Sequence, residues 1–312
     1  MSNQSPVIQV SNLVVEYGRG TKKNRAVDGV TFDVRKGETV GFIGANGAGK
    51  TTTIKTIMGF LFPTSGEVKV FGEPAGKAES RSRMGYLPEV ALYYPFMKAR
   101  ELLELYGGLH GLSKDYLKKE IPPLLEKVGL KGKEEVLLKN FSKGMQHRLG
   151  IAQAIIADPE ALIFDELSSG LDPLGRHNLR EVLLDLKKRG RTIFFSSHEL
   201  TEVEILCDRV IMIHRGRVVT EATVQDLMKP LNIFEIIFKT KDESIPEVVK
   251  KYNPEPEGDA LKVIINDVKD YSAAVSALSS GGAEIRETSS RTRTLEDYFI
   301  DLVREKEGRK QQ

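Results

Sequence analysis

One glycine-rich run, Gly44-Ala-Asn-Gly-Ala-Gly-Lys-Thr51, limits what this chain can fold into more than any other stretch of it. An apolar, β-prone run at 39–43 leads directly into it, and residues 50–60 behind it read as a helix. That order predicts a strand, a tight loop and a helix in immediate succession. Gly44, Gly47 and Gly49 permit backbone conformations and a close approach that a β-carbon would hinder. Consecutive N–H groups of Gly44, Ala45, Asn46, Gly47, Ala48 and Gly49 can therefore face the oxygens of a phosphate. The partial positive charge of the helix N-terminus adds to them. Lys50 reaches β- and γ-phosphates as a point charge, and the Thr51 hydroxyl suits a place on Mg2+. A chance glycine-rich turn has no need of the strand before it and the helix after it. The loop alone leaves the class open among GTPases, kinases and ATPases.

Further β-prone runs lie at 7–17, 30–34 and 67–71, the last after the break Pro63-Thr-Ser-Gly66. From about 99 to 157 the pattern turns helical, with Leu102, Leu105, Tyr106 and Leu109 spaced for one buried face. Strands return at 161–164, 192–196 and 209–213, separated by helical stretches at 175–189 and 199–206. Strands alternating with helices predict an α/β fold with a largely parallel sheet, and the helix-only stretch, about 93–157, an inserted helical subdomain. Composition shifts near Lys229-Pro230. Beyond it, β-prone runs at 233–239, 261–265 and 283–287 accompany helical ones at 246–252, 271–279 and 295–305. They predict a small α+β domain over 230–312, set apart from 1–229 and ending in a polar tail, 305–312, expected to fray.

The chain has 312 residues, enough for a large core and a small one. Its 46 basic residues against 44 acidic leave a net charge of +2, too small a field to recruit nucleic acid, and no nucleic-acid partner is expected. The single cysteine, Cys207, excludes an internal disulfide and reads as a small buried apolar residue in a reducing compartment. The first seven residues show neither the basic nor the apolar segment of a secretory signal. No apolar run approaches the roughly 18–20 residues that a membrane span needs. If the chain works at a membrane, another chain supplies the spans.

Ala161-Leu-Ile-Phe-Asp-Glu166 is an apolar strand ending in two carboxylates. A parallel sheet delivers such residues to its carboxyl edge, where ligands bind in open α/β folds. Asp165 there can hold Mg2+ or its water shell, and Glu166 can polarise an attacking water. Taken alone, the stretch equally fits a strand running into a helix cap. His198 follows the 192–196 strand, expected beside the one carrying Asp165, and a ring hydrogen bond to a γ-phosphate fits there. His110, His147, His177 and His214 have no comparable context and read as surface or structural. Ser142 and Gly144 open a helix, 143–157, so that their N–H groups and hydroxyl make a second anion site; a plain N-cap fits Ser142 alone as well.

Together these elements resemble the ATPases of ABC transporters, a P-loop NTPase fold with a β-rich N-terminal subdomain and a helical insertion. Phe141-Ser-Lys-Gly-Met-Gln-His-Arg-Leu-Gly150 is similar to the family's signature motif, and Ser169-Gly-Leu-Asp172 to the loop that crosses its dimer interface. His198 matches the switch histidine, Gly85-Tyr-Leu-Pro-Glu89 the Q-loop, and Tyr17 the aromatic that stacks on adenine. Order and spacing follow the family over roughly 7–228. The resemblance implies an ATP site built from Tyr17, the 44–51 loop and Thr52, with Mg2+ at Thr51, Glu89 and Asp165, and with Glu166 and His198 in catalysis. It further implies that Ser142, Lys143, Gly144 and Met145 clamp the γ-phosphate held by an opposing subunit, with Asp172 at the interface. A homodimer or heterodimer then sandwiches two nucleotides. Separate transmembrane permease subunits would carry the substrate, with this chain peripheral on the cytoplasmic face of the cell membrane.

The sequence departs from the family's pattern at four places. Lys143 and Met145 replace a Gly and the Gln of the signature, Glu89 stands for Gln, and Leu167 for the Pro after the catalytic Glu. A carboxylate at 89 can ligand Mg2+ but adds negative charge beside the γ-phosphate. Residues 230–312 resemble the accessory domain of multidrug, polysaccharide and gliding-type exporters, with Thr294-Leu-Glu-Asp-Tyr-Phe299 as its closing helix motif. Dimer stabilisation or regulation and a plain packing appendage both fit it. Val90-Ala-Leu-Tyr-Tyr-Pro-Phe-Met97 suits a groove receiving a coupling helix, or core under the helical subdomain. A soluble ATPase remodelling nucleic acid or ribosomes is the alternative function; it predicts paired cassettes, a long coiled-coil insertion or a basic arm, none of which is visible. A slow regulatory nucleotide binder is a third.

Overall fold

Burial alternates along β1 (Ile8–Tyr17) and β2 (Asn24–Val34), the mark of strands with one wet face. With β4 (Ser65–Val70) and β5 (Glu73–Pro74) they form an antiparallel sheet in the order β2-β1-β4-β5. β2 starts six residues before the predicted strand, because its first half is polar. Arg25 there opposes Glu16 on β1 and bonds it across the ladder at 3.0 Å. The computed structural model describes residues 6–18, 23–228, 230–240, 245–292 and 294–308.

β3 (Thr39–Ile43), β7 (Ala161–Phe164) and β8 (Thr192–Ser197) are buried at every residue, as strands covered on both faces must be. They belong to a six-stranded sheet that also takes in β6 (Met84–Leu87), β9 (Arg209–His214) and β10 (Arg217–Thr223), in the order β10-β9-β3-β8-β7-β6. All neighbours pair parallel except β10, which runs antiparallel to β9. A core of Phe32, Phe42 and Phe194, with centroids 5.5–5.6 Å apart, joins the antiparallel sheet to β3 and β8. Sequence reading found no strand at β6 or β10. β6 is only four residues long and carries Gly85, and β10 is half exposed and polar.

Helix α1 (Lys50–Ile57) follows β3 after the glycine-rich loop, and Phe60 N–H turning back onto Lys55 O closes it short of the predicted end at 60. A single turn, α2 (Ala78–Arg81), precedes β6. The helical insertion consists of α3 (Ala99–Leu109), α4 (Lys114–Lys127) and α5 (Lys143–Ile155). Leu117, Ile121 and Leu125 form one buried stripe that keeps α4 helical through Pro122 and Pro123. On α3 the buried face is Ala99, Leu102, Leu103 and Gly107, not the predicted set: Leu105 and Leu109 are 44% and 74% exposed. The reason is the close crossing of α4, where a β-carbon on Gly107 would stand 2.3 Å from Leu117 Cδ2. α6 (Pro173–Lys188) and α7 (Leu200–Leu206) complete the alternation with β7, β8 and β9. Cys207 is buried, and burial pushes its thiol well above the usual range.

The chain divides into two compact units, Met1–Val224 and Gln225–Gln312. The short helix α8 (Val224–Leu227) lies at the division, and Lys229 falls outside the described residues. The second unit is an antiparallel sheet of β11 (Pro230–Lys239), β12 (Glu255–Glu257), β13 (Ala260–Ile265) and β14 (Glu284–Thr292), in the order β12-β13-β11-β14. α9 (Glu247–Lys250) and α10 (Val268–Ser280) contribute to its core of Ile236, Phe238, Val249, Val263, Ile265, Ala274 and Leu278. α11 (Leu295–Gly308) opens on a reciprocal cap: Asp297 N–H donates to Thr294 Oγ1 at 3.1 Å, and Thr294 N–H to Asp297 Oδ2 at 3.2 Å. Residues 305–308, expected to fray, continue this helix, and 309–312 lie outside the described residues. No helix among the described residues is long and apolar enough to cross a membrane.

Candidate active site

Four neighbouring parallel strands, β3, β8, β7 and β6, deliver their carboxyl ends to one edge, and each ends in a predicted site residue. The 44–51 loop follows β3, His198 follows β8, Asp165 and Glu166 follow β7, and Glu89 follows β6. A cavity of about 470 Å3 at this edge is lined by Tyr17, Ala45, Asn46, Gly47, Ala48, Gly49, Lys50, Thr51, Thr52, Glu89, Glu166 and His198. Asn24, Ala26 and Ser169 also line it, and sequence reading gave none of them a role there.

The loop is shaped by close backbone approaches. A β-carbon on Gly44 would stand 2.3 Å from Ile213 O, and one on Gly49, at φ +109°, 2.6 Å from Ala26 O. Gly49 is the N-cap of α1 and offers no side-chain acceptor, so the first-turn N–H groups are left for an anion. Lys50 is 5% exposed and folds back over the loop. Its Nζ donates to Gly44 O at 2.7 Å and stands 3.3 Å from Glu166 Oε1.

Around this cation sits a carboxylate cluster. Thr51 Oγ1 and Ser196 Oγ both donate to Asp165 Oδ1, at 3.1 and 2.9 Å. Asp165 Oδ2 is buried without a hydrogen-bond partner. Burial pushes the Asp165 carboxyl above the usual carboxylate range, and the charges of Glu89 and Glu166 push the same way; the bonds from Ser196 and Thr51 oppose them. The same burial, with Asp165 nearby, pushes the Tyr86 phenol up to about 12. Glu166 occupies a left-handed conformation, φ +58°, and its Oε2 accepts from His198 Nδ1 at 2.6 Å. A carboxylate only accepts, so Nδ1 carries the ring proton. Tyr17, 42% exposed at the cavity mouth, bonds Thr52 Oγ1 through its hydroxyl at 3.3 Å.

The signature residues stand elsewhere. Ser142, Lys143, Gly144, Met145 and Asp172 do not line this cavity. Ser142 caps α5 by accepting Met145 N–H at 3.2 Å, and Asp172 caps α6 by accepting Gly175 N–H at 2.9 Å. A β-carbon on Gly144 would stand 3.0 Å from Gly170 O, so the signature turn and the 169–172 loop are packed against each other.

Ser196, too, was not foreseen from the sequence. Besides holding Asp165, its Oγ accepts Glu166 N–H at 2.8 Å. The signal was present: two serines follow the apolar Ile193-Phe-Phe195 and stand immediately before His198.

Known proteins are similar to this chain in sequence and in fold. The family described as ABC transporter matches residues 27–169. The bacitracin transport ATP-binding protein of Bacillus licheniformis is 34% identical, over 96% of this chain and 98% of its own length. The Nod factor export ATP-binding protein I of Paraburkholderia xenovorans is 33% identical, over 95% and 96%. Among solved structures, an ATP-binding subunit of an ABC transporter gives a TM-score of 0.64 at 34% identity, covering 71% of this chain and 91% of that one. A dimeric ATP-binding cassette in a post-hydrolysis state, bound to ADP and Pi, shares the fold with a TM-score of 0.64 at 22% identity, covering 70% and 98%. The chain belongs to the ABC transporter ATP-binding proteins and is an ATP-binding, ATP-hydrolysing subunit of that family.

Proposed function

We propose that this subunit energises the export of a solute through separate transmembrane subunits, and that two ATP-loaded subunits must close on each other for hydrolysis. One observation carries the reading: the cavity holding Lys50, Glu166 and His198 lacks the signature residues, which stand at a helix N-terminus suited to an anion. Each chain thus has two half-sites, and a second cassette, identical or related, completes both. Export, rather than uptake, is supported by the similarity to a Nod factor export protein. The location that follows is peripheral, on the cytoplasmic face of the membrane.

Within the site, the loop N–H groups and Lys50 hold the phosphates, Tyr17 stacks on the base, and Glu166 polarises the attacking water while His198 orients Glu166. Mg2+ fits the donor set. Asp165 Oδ2 is a buried acceptor without a partner, the Thr51 hydroxyl is bonded to the same carboxylate, and Asp165 feels the charges of Glu89 and Glu166, of which Glu166 stands beside Lys50. Two protein oxygens with Glu89 nearby suit an ion that keeps most of its shell for water and phosphate. When bound, the ion would neutralise charge on the β- and γ-phosphates, with Thr51 and Asp165 holding it. MgATP is therefore expected to raise the melting temperature more than ATP in EDTA does. Asp165→Asn should erase that difference, and a variant that keeps it would remove Asp165 from the ion's site.

An apolar surface supports the membrane partner. Leu92, Tyr94 and Phe96 are 91%, 71% and 76% exposed, so the 90–97 segment is not core beneath the helical insertion. With Phe60, Tyr106 and Leu109 it borders a groove of about 570 Å3 that suits an apolar helix from a permease. Because Leu92 is so exposed, Leu92→Asp should change stability by no more than about 0.5 kcal/mol. It should nonetheless abolish detergent-dependent copurification with the membrane subunit. Copurification at the wild-type level would move the docking surface elsewhere; association lost on nuclease treatment would favour a nucleic-acid role instead.

A further inference from the structure

The turn that carries Glu166 is strained and held from two sides. A left-handed non-glycine residue persists only where its surroundings over-determine it, and Glu166 stands at φ +58°. From β8, Ser196 contributes two bonds: its Oγ accepts Glu166 N–H at 2.8 Å, and its carbonyl accepts Leu167 N–H at 3.1 Å. The second exists because position 167 is leucine; proline has no N–H to give. From α5, His147 Nε2 reaches Leu167 O at 2.8 Å. A carbonyl only accepts, so Nε2 carries the proton. His147 is 6% exposed, and burial holds its ring below the usual histidine range, which makes it a neutral, single-purpose donor at this contact.

His147 lies on α5, little more than one turn from Ser142, the cap of the same helix. We propose that His147 is a positioning residue: its Nε2–H bond to Leu167 O fixes the turn that aims Glu166, and so ties the carboxylate to the seat of the signature helix. The inference rests on Glu166 being the catalytic carboxylate. Its consequence is a link between the two half-sites of one chain. Whatever anion the N-terminus of α5 receives from a second subunit acts on a helix that also orients this subunit's own Glu166.

The test is steady-state ATP turnover by the full chain, together with ATP affinity in EDTA, for His147→Leu, His147→Gln, Glu166→Gln and the Leu–Gln double variant. Loss of positioning should lower the kcat of His147→Leu by roughly tenfold or more, with ATP affinity within about twofold of wild type. Glutamine presents an amide N–H at about the reach of histidine Nε2, so His147→Gln should recover to within about threefold. On the Glu166→Gln background, His147→Leu should cost nothing further, because its route of action is already gone. The proposal is overturned if His147→Leu turns over within about twofold of wild type, if Gln fails as badly as Leu, if affinity falls along with kcat, or if the two losses multiply. Wild-type turnover by Glu166→Gln alone would remove the carboxylate assignment and the proposal with it. An inactive Glu166→Gln beside a fully active His147→Leu removes only the positioning role. Should His147→Leu fail to fold, His147→Asn replaces it: polar but too short to reach Leu167 O, it should match the loss expected of Leu, and wild-type turnover by it overturns the proposal.

Discussion

Glu166→Gln is expected to cut ATP turnover by about 10²–10⁴-fold while leaving ATP binding at least as tight as in the wild type. The side chain keeps its length and its place on a turn held through backbone bonds to Ser196, which the substitution does not touch. What it loses is the ability to draw a proton from water. It also removes one negative charge from a cluster in which Glu89 and Glu166 already disfavour ionisation of Asp165, so a polyanion meets less repulsion. The new amide cannot satisfy both former partners, since Lys50 Nζ and His198 Nδ1 are donors, and one lost bond costs about 1 kcal/mol of fold stability. If hydrolysis is what separates two closed subunits, this variant accumulates as an ATP-bound dimer. Phosphate release measures the first expectation and size exclusion with ATP and Mg2+ the second. Turnover within tenfold of wild type would remove Glu166 from catalysis. A variant that binds ATP, does not hydrolyse it and stays monomeric would leave the carboxylate in place and refute the two-subunit site.

How much of this site could be read from sequence depends on how local each part is. The 44–51 loop is contiguous, and its strand and helix flank it directly, so residue types alone specify it. Asp165, Glu166 and His198 are legible for a related reason. In a parallel sheet, whatever follows an apolar run arrives at the same edge, and β3, β7 and β8 each hold such a run and are buried at every residue. What could not be read is pairing over distance. The contacts of Ser196 with Asp165 and Glu166, and of His147 with Leu167 O, join residues twenty to thirty-one positions apart. They also depend on a left-handed backbone at Glu166 that no composition announces. His147, read as structural or surface, proves buried and bonded for this reason. The misjudged face of α3 has another cause. Periodicity counts apolar residues without knowing that some are left open, and Leu109 and Leu92 line a groove instead of filling a core.

Lys50→Ala should weaken ATP binding by roughly 10²-fold or more, since hydrogen bonds to charged groups contribute about 1.5–3 kcal/mol each and the ammonium can make several. The structure adds an effect in the absence of nucleotide. Lys50 Nζ bonds the carbonyl of Gly44, at the start of the loop, and stands 3.3 Å from a Glu166 carboxylate that is 11% exposed. Alanine leaves that carboxylate with His198 as its remaining hydrogen-bond partner and frees Gly44 O, so the nucleotide-free variant should itself melt earlier. Breaking a buried pair by deleting one member costs about 3–5 kcal/mol, and the surviving bond to His198 places this case at the low end. Lys50→Arg separates the two effects. Its guanidinium keeps the charge beside Glu166 and restores much of the melting temperature. A planar fork cannot, however, take the place of a compact point charge among loop carbonyls at 2.7 Å, so phosphate binding should stay weak. Titration with ATP in EDTA, which keeps Mg2+ out of the comparison, measures the affinities, and thermal melts without nucleotide measure the rest. Undiminished affinity in Lys50→Ala would mean that the phosphates lie somewhere other than the 44–51 loop. Equal melting temperatures for wild type and Lys50→Ala would mean that the loop is held by its backbone contacts with Ile213 and Ala26 alone, and that Lys50 serves the ligand only.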